Sequence, residues 1–186
     1  MTRIVIIRHG NTFDPGETVR RVGRGTDLPL SVSGRAQADA LGRALAGEVR
    51  AVLSSPLRRT RETASVFGLP VATDDRLLEI DYGPDEGQPE AEVVARLGGD
   101  VIAAWDRDAV VPQGWLVDPD TIRADWLALL GEARDGTAIV TSNGVARFLL
   151  DVAEHGGVPR KLRTGSYGVV EGEPGAWRIA AWDERP

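Results

Sequence analysis

Residues Ile4-Val5-Ile6-Ile7 form an unbroken β-branched run that stops at Arg8-His9-Gly10-Asn11-Thr12. Such side chains lose rotamer freedom in a helix and pack well on a pleated sheet, so the run reads as a buried central strand. It is too short to cross a bilayer. A second run, Gly136-Thr137-Ala138-Ile139-Val140-Thr141-Ser142, stops in the same way at Asn143-Gly144. Two apolar strands that end in polar, glycine-bearing turns predict a parallel sheet. In open α/β sheets, ligands bind beyond the carboxyl ends of the strands, which is where Arg8, His9 and Asn143 fall.

The intervening chain keeps a strand and helix alternation. Phe13 to Arg24 carries Pro15, Gly16 and Gly23 without a clear period and reads as a loop decorated by Arg20, Arg21 and Arg24. Gly34 to Gly47 has Ala36, Ala40, Leu41, Ala44 and Leu45 at helical spacing. Arg50 to Ser55 predicts a second strand, and Pro56 is placed to open the next helix, where a missing amide proton costs nothing. Leu69 to Thr73 predicts another short strand. Pro84 to Asp125 reads as an insertion, with helical spacing at Ala91 to Leu97 and then a Pro- and Gly-punctuated stretch holding Trp105 and Trp115. Trp126 to Leu130 ends a helix and Val145 to Val152 forms another. Tyr167 to Glu171 and Trp177 to Trp182 predict two edge strands, paired as a hairpin around Gly172 to Gly175.

Composition narrows the chemistry. The chain has no cysteine, which removes disulfides, thiolate metal sites and cysteine nucleophiles. Its net charge of -6 hides an asymmetry: residues 1 to 61 hold eleven arginines against five acidic residues, and the remainder is strongly acidic. The acidic total argues against a nucleic-acid surface, whereas the local arginines suit a small anion. No apolar run approaches a membrane span, and Met1-Thr2-Arg3 leads directly into the first strand without a signal-like segment, so the expectation is a cytoplasmic protein with no membrane partner. Oligomeric state is not readable from the sequence.

Three stretches carry a specific resemblance: Arg8-His9-Gly10-Asn11-Thr12, Ser54-Ser55-Pro56-Leu57-Arg58-Arg59-Thr60-Arg61-Glu62-Thr63-Ala64, and Leu78-Glu79-Ile80-Asp81-Tyr82-Gly83. Their order and spacing resemble successive motifs of the histidine phosphatase superfamily, the phosphoglycerate-mutase-like family. The resemblance implies an α/β fold, a three-layer α/β/α sandwich with a mostly parallel central sheet and a small helical lid, here residues 84–125 of a single domain spanning 1–186. It implies no metal and no cofactor. It also implies that His9 becomes phosphorylated, that Arg8 and Arg59 hold the phosphate, and that Glu79 protonates the leaving oxygen.

The residue chemistry agrees with those roles. Phosphoryl transfer needs positive charge around the equatorial oxygens and an attacking atom in line with the leaving oxygen. Arginine offers a planar fork for bidentate phosphate contacts, and an imidazole held neutral at one nitrogen attacks through the other. Glu79 follows the apolar Leu77 and Leu78, a setting for a general acid that later serves as base; Asp81 and Glu86 are rivals for that role. Adjacent Arg58 and Arg59 point apart on a helix, so Arg58 is expected in solvent. Asn11, Thr12 and Arg24 are candidate substrate contacts.

One motif departs from the pattern. Where the family usually carries a second histidine at the end of a strand, this chain has Asn143 within Thr141-Ser142-Asn143-Gly144. An amide still donates a hydrogen bond but carries no charge. Losing a preorganised donor outright costs roughly 2.7 to 4 kcal/mol, so the expectation is slowed catalysis. His155 has no preceding strand and reads as a helix-terminal residue. The resulting expectation is a metal-independent phosphomonoesterase of reduced rate acting on a small phosphorylated metabolite; the alternatives are a noncatalytic phosphate-ligand sensor and, behind it, a mutase. The two tryptophans, Trp105 and Trp115, are expected to anchor the insertion to the core.

Overall fold

The computed structural model describes residues 1–186. Six strands form one sheet in the order β3-β2-β4-β1-β5-β6. They are β1 (Thr2–Arg8), β2 (Ala51–Ser54), β3 (Val71–Thr73), β4 (Thr137–Thr141), β5 (Tyr167–Glu173) and β6 (Ala176–Glu184). The four strands from β3 to β1 are parallel, and β5 and β6 are antiparallel additions beside β1. Six helices accompany them: α1 (Val32–Ala44), α2 (Arg58–Ala64), α3 (Glu90–Leu97), α4 (Gly99–Asp108), α5 (Pro119–Glu132) and α6 (Asn143–Ala146).

The strand period divides the core into two layers. Ile4 and Ile6 of β1 and Ile139 of β4 face a cluster containing Trp105, Trp126, Leu129 and Phe148. Val5 and Ile7, with Ala138 and Val140, face Leu41, Leu45 and Ala64 of α1 and α2. Both faces of the sheet are therefore covered, which is why its central strands are apolar at every position and why the expected three-layer sandwich forms. The sheet's carboxyl ends stay open to ligands because the helices cover its faces and not its ends.

Four sequence expectations need correction. Helix α2 starts at Arg58 with the extended Leu57 as its N-cap, so Pro56 lies one residue outside it; Leu57 is buried, and the bend carries its side chain inward. Strand β5 is internal, hydrogen-bonded to β1 on one side and β6 on the other, with Gly168, Val169 and Val170 all buried; of the two, β6 is the edge. The stretch after Leu97 is helix α4, and Gly98, with φ +91, is the hinge between α3 and α4 instead of a loop signal. The segment after Asn143 is a four-residue helix continued by a 3₁₀ turn over Arg147–Asp151, and His155 lies four residues beyond it. Helix α5 runs through residue 125 without a break.

One close approach fixes the entry to the site. A Cβ on Gly34, in the first turn of α1, would lie 2.0 Å from the Asn11 carbonyl oxygen, and one on Gly10 would lie 2.3 Å from the Gly34 carbonyl oxygen. Only glycine at both positions lets helix α1 pack on the His9 loop. Across the sheet, the loop at residues 19–21 is stitched to residues 87–90 by Arg21 N–H to Gln88 O at 2.9 Å, Gly87 N–H to Arg21 O at 2.8 Å and Glu90 N–H to Val19 O at 2.9 Å. No helix is long and apolar enough to cross a membrane.

Candidate active site

Strands β1 and β4 are neighbours in parallel register, with Arg8 opposite Thr141, so His9 and Asn143 leave the sheet side by side. Strand β2 is the next neighbour and delivers α2, which carries Arg59. Glu79 arrives from the turn after β3. A cavity of about 330 Å³ opens there, lined by Arg8, His9, Asn11, Thr12, Glu79 and Asn143. That volume suits a small metabolite.

His9 is 6% exposed. Its Nδ1 lies 2.7 Å from the Gly10 carbonyl oxygen, which can only accept, so the Nδ1 proton is donated there and Nε2 keeps its lone pair. Arg59 Nε donates to that Nε2 at 3.3 Å. Burial first, then the positive charges of Arg59 and Arg8, hold the imidazole pKa well below its usual value, against the opposing bond to Gly10. The ring is therefore a neutral base with its nucleophilic nitrogen among guanidinium groups. The Gly10 N–H donates to Thr63 Oγ1 at 3.1 Å, which locks the loop to α2.

Arg59 has no exposure and sits behind the imidazole, off the cavity lining. Its Nη1 donates to Thr26 O at 2.8 Å and its Nη2 to Gly23 O at 3.2 Å. Arg8 Nη1 donates to Leu162 O at 2.8 Å, while its Nε is sealed from solvent without a partner. A buried N–H with no acceptor is costly, so this donor is held ready for an acceptor that enters the cavity. Glu79, 4% exposed, accepts from Ile80 N–H at 2.9 Å through Oε1 and from Gly144 N–H at 3.4 Å through Oε2. The rivals lie outside: Asp81 accepts from Gly83 N–H, and Glu86 accepts from Gly23 N–H and Thr26 Oγ1.

Asn143 Oδ1 accepts from Leu162 N–H at 2.9 Å, which leaves its amide NH₂ without a protein partner at the cavity wall. Leu162 thus receives Arg8 at its carbonyl and serves Asn143 at its amide, so one residue's backbone spaces both groups. Asn11 is braced by donation to Ser33 Oγ at 3.1 Å and by accepting from Thr164 Oγ1 at 2.5 Å. Arg24 is not brought to the cavity; its Nε donates to the Glu79 carbonyl at 3.1 Å from the far side, so it steadies the Glu79 backbone. Arg58 is over half exposed and paired with Glu62, as helix geometry predicts. His155 does not line the cavity and accepts from Gly157 N–H.

Sequence reasoning missed several cavity residues. Arg147 is one helical turn from Asn143, and that i to i+4 spacing was the available signal. Arg20, Arg21 and Lys161 add cations, and Tyr82 and Trp105 add aromatic surface. Trp105 both anchors α4 and lines the cavity, whereas Trp115 only anchors: its Nε1 donates to Asp85 at 2.7 Å, and its ring meets Tyr82 edge-on at 4.6 Å.

A family model described as the histidine phosphatase superfamily, branch 1, matches residues 4–185. Among curated relatives, the fructose-2,6-bisphosphatase TIGAR of Xenopus tropicalis is 38% identical over 108 residues, covering 52% of this chain and 39% of that protein. An acid phosphatase of Mycobacterium tuberculosis is 41% identical over 90 residues, covering 46% of this chain and 43% of that protein. The chain thus spans less than half the length of these relatives. A mycobacterial glucosyl-3-phosphoglycerate phosphatase structure, a complex with VO3, superposes with a TM-score of 0.81 at 25% identity and covers 98% of this chain and 99% of that one.

Proposed function

The chain belongs to the histidine phosphatase superfamily, and on that footing we propose that it is a metal-independent phosphomonoesterase acting on a small phosphorylated metabolite. The observation that carries this reading is the neutral, buried His9, whose Nε2 lone pair is oriented by the Gly10 carbonyl and set beside the unpartnered Arg8 Nε. The relatives' names, a bisphosphatase and an acid phosphatase, support the reaction class.

In the proposed cycle, the phosphoryl group enters between Arg8 and the Asn143 NH₂. Arg59 Nε gives up His9 and turns to a phosphoryl oxygen, freeing the lone pair. His9 Nε2 attacks phosphorus, the bond from phosphorus to the ester oxygen breaks, and Glu79 gives that oxygen a proton. The Glu79 carboxylate then takes a proton from water as the water oxygen attacks phosphorus. The phosphorus–nitrogen bond breaks, and inorganic phosphate leaves a neutral His9 and a protonated Glu79. Helices α3 and α4, within the 84–125 segment, act as the lid through Glu90, Ile102 and Trp105.

The test is alkali-quenched labelling, which preserves an acid-labile phosphohistidine, with a ³²P phosphomonoester in the presence of a chelator. Label appears on wild type at His9 and vanishes in His9→Asn together with hydrolysis. Turnover that survives His9→Asn, or that needs a divalent ion, overturns the reading. A second reading, phosphate binding without turnover, is favoured by the Arg59 bond to the nucleophile's lone pair; saturable phosphate binding with no label and no hydrolysis at high enzyme concentration selects it.

A further inference from the structure

Arg147 takes no part in the cycle above, yet it is hard to explain as scaffold. It is 1% exposed, it lines the cavity, and its Nε donates to the Asn143 carbonyl at 3.3 Å. Its guanidinium lies over Trp105, 3.9 Å from the ring centroid, and its Nη1 donates to the Trp105 carbonyl at 2.5 Å. The acid beside it is Asp106, at 3.5 Å, whose side chain is 43% exposed. A counter-ion so far into water leaves most of the buried charge uncompensated. Replacing a poorly paired buried cation with an apolar side chain of similar volume is commonly neutral or stabilising, so packing alone does not account for this arginine.

The charge count at the inner end of the cavity supplies a reason. Arg8 and Arg147 line it, Arg59 stands behind His9, and Glu79 is the buried carboxylate among them. Arg8 feels the other two: after burial and the opposing Glu79 and Tyr82, the charges of Arg147 and Arg59 depress its pKa. At the mouth, Arg21 is already neutralised by Glu90, and Lys161 is exposed. His9 is neutral and Asn143 carries no charge. The buried cations around the phosphoryl position outnumber the one Glu79 carboxylate, and Arg147 is the one held against Asn143.

We propose that Arg147 is a further catalytic residue that contacts the phosphoryl oxygens, supplying as fixed charge what the neutral amide of Asn143 beside it cannot. This rests on the phosphomonoesterase reading for its substrate, but the residue's role is separable from turnover. The guanidinium is anchored at one end by Asn143 O and Trp105 O and retains N–H groups that these bonds do not use. Phosphoryl transfer is served by such preorganised cations, because no reorganisation is needed as charge redistributes.

The test compares Arg147→Met, Arg147→Lys, Asn143→His and the Asn143→His/Arg147→Met double variant. Hydrolysis of p-nitrophenyl phosphate is followed from pH 5 to 9, with vanadate affinity measured in parallel. Arg147→Met lowers kcat/KM by about 100-fold and weakens vanadate, the scale of one preorganised donor. Arg147→Lys stays within about tenfold of wild type, since charge is kept and only the fork is lost. The double variant regains at least about tenfold over Arg147→Met at low pH, and the gain fades as the introduced imidazole deprotonates near pH 6.5. A role confined to packing leaves the double variant no better than the single at every pH, and that result overturns the proposal, as does unchanged vanadate affinity in folded Arg147→Met. If the methionine variant does not fold, Arg147→Gln against Arg147→Lys decides, and equal activities overturn it. A wild type that hydrolyses nothing defeats the phosphomonoesterase reading, while the vanadate series still decides the charge role.

Discussion

Gly144 offers a way to displace the proposed acid without touching it. A Cβ at this position would lie 2.1 Å from Glu79 Oε1, 2.9 Å from Ile80 Cγ1 and 3.0 Å from Glu79 Cδ. Ordinary contact begins at 3.4 Å, so in Gly144→Ala the carboxylate and the α6 backbone must separate by about 1.3 Å. The backbone itself tolerates alanine: Gly144 is not among the positive-φ glycines and sits in a helix, where alanine is favoured by about 1 kcal/mol. The cost therefore falls on the position of the acid. A misplacement of about 1 Å slows a chemical step on the order of 100-fold, about 2.7 kcal/mol in the barrier. The informative assay is an alkali-quench burst that isolates phosphorylation, run with an alkyl phosphate and with p-nitrophenyl phosphate. Nitrophenolate departs without a proton, whereas an alkoxide does not, so the alkyl substrate slows about 100-fold and the aryl one changes little. Any change in vanadate affinity is common to both assays, since the enzyme is the same, and so cannot produce a difference between leaving groups. Equal slowing on both leaving groups, or none on the alkyl substrate, would refute Glu79 as the acid.

Four further outcomes follow from the geometry. His9 and His155 are the only histidines, so NMR titration reads them separately; His9 titrates well below the usual imidazole value, and protonation there near pH 6.5 would contradict its environment. Because the folded imidazole resists the proton that the unfolded one accepts near pH 6.5, stability is full above that value and falls by up to about 1.4 kcal/mol per pH unit below it, until the depressed folded pKa is reached; urea unfolding of His9→Asn should lose this component, and identical slopes would refute it. Gly34→Ala drives a methyl group to 2.0 Å from the Asn11 carbonyl oxygen and should destabilise by about 1–3 kcal/mol or more, with an unchanged Tm showing that the loop yields instead. Arg24→Ala should leave vanadate affinity unaltered, because Arg24 lies outside the cavity; a large loss would restore it as a substrate contact.

Ile4 to Ile7 and Thr137 to Thr141 are legible as central strands because residues buried on both faces must be apolar at every position, a pattern that survives without knowledge of their partners. β5 was read as an edge because strand pairing is not coded by one strand's own residues; its two neighbours are supplied by β1 and β6. Helix α4 was hidden for a similar reason. Gly98 and Pro112 are punctuation by local rules and stay outside α4, but between them burial of Trp105 against Trp115 and Phe148 holds a helix. In the site, Arg8, His9, Glu79 and Asn143 were visible because each lies at or near the end of a strand or a motif. Arg147 was not, since a buried arginine on a short helix looks like any other until Trp105 and Asp106 close over it.

The division has one physical cause. Periodicity, β-branching, glycine at forced approaches and the absence of cysteine are properties of the chain itself, and they determined the class of fold, the sheet's open end and the histidine that follows its first strand. Which donors are satisfied is a property of through-space neighbours. The tertiary structure alone decided that Arg59 stands behind His9, that Arg24 is turned away, that the Leu162 backbone spaces Arg8 from Asn143, and that Arg147 contributes charge to the same cavity. Hydrogen bonds between residues 19 to 154 positions apart cannot be read from local pattern, because the energy that selects them exists only after the sheet has brought the ends of β1, β2 and β4 together.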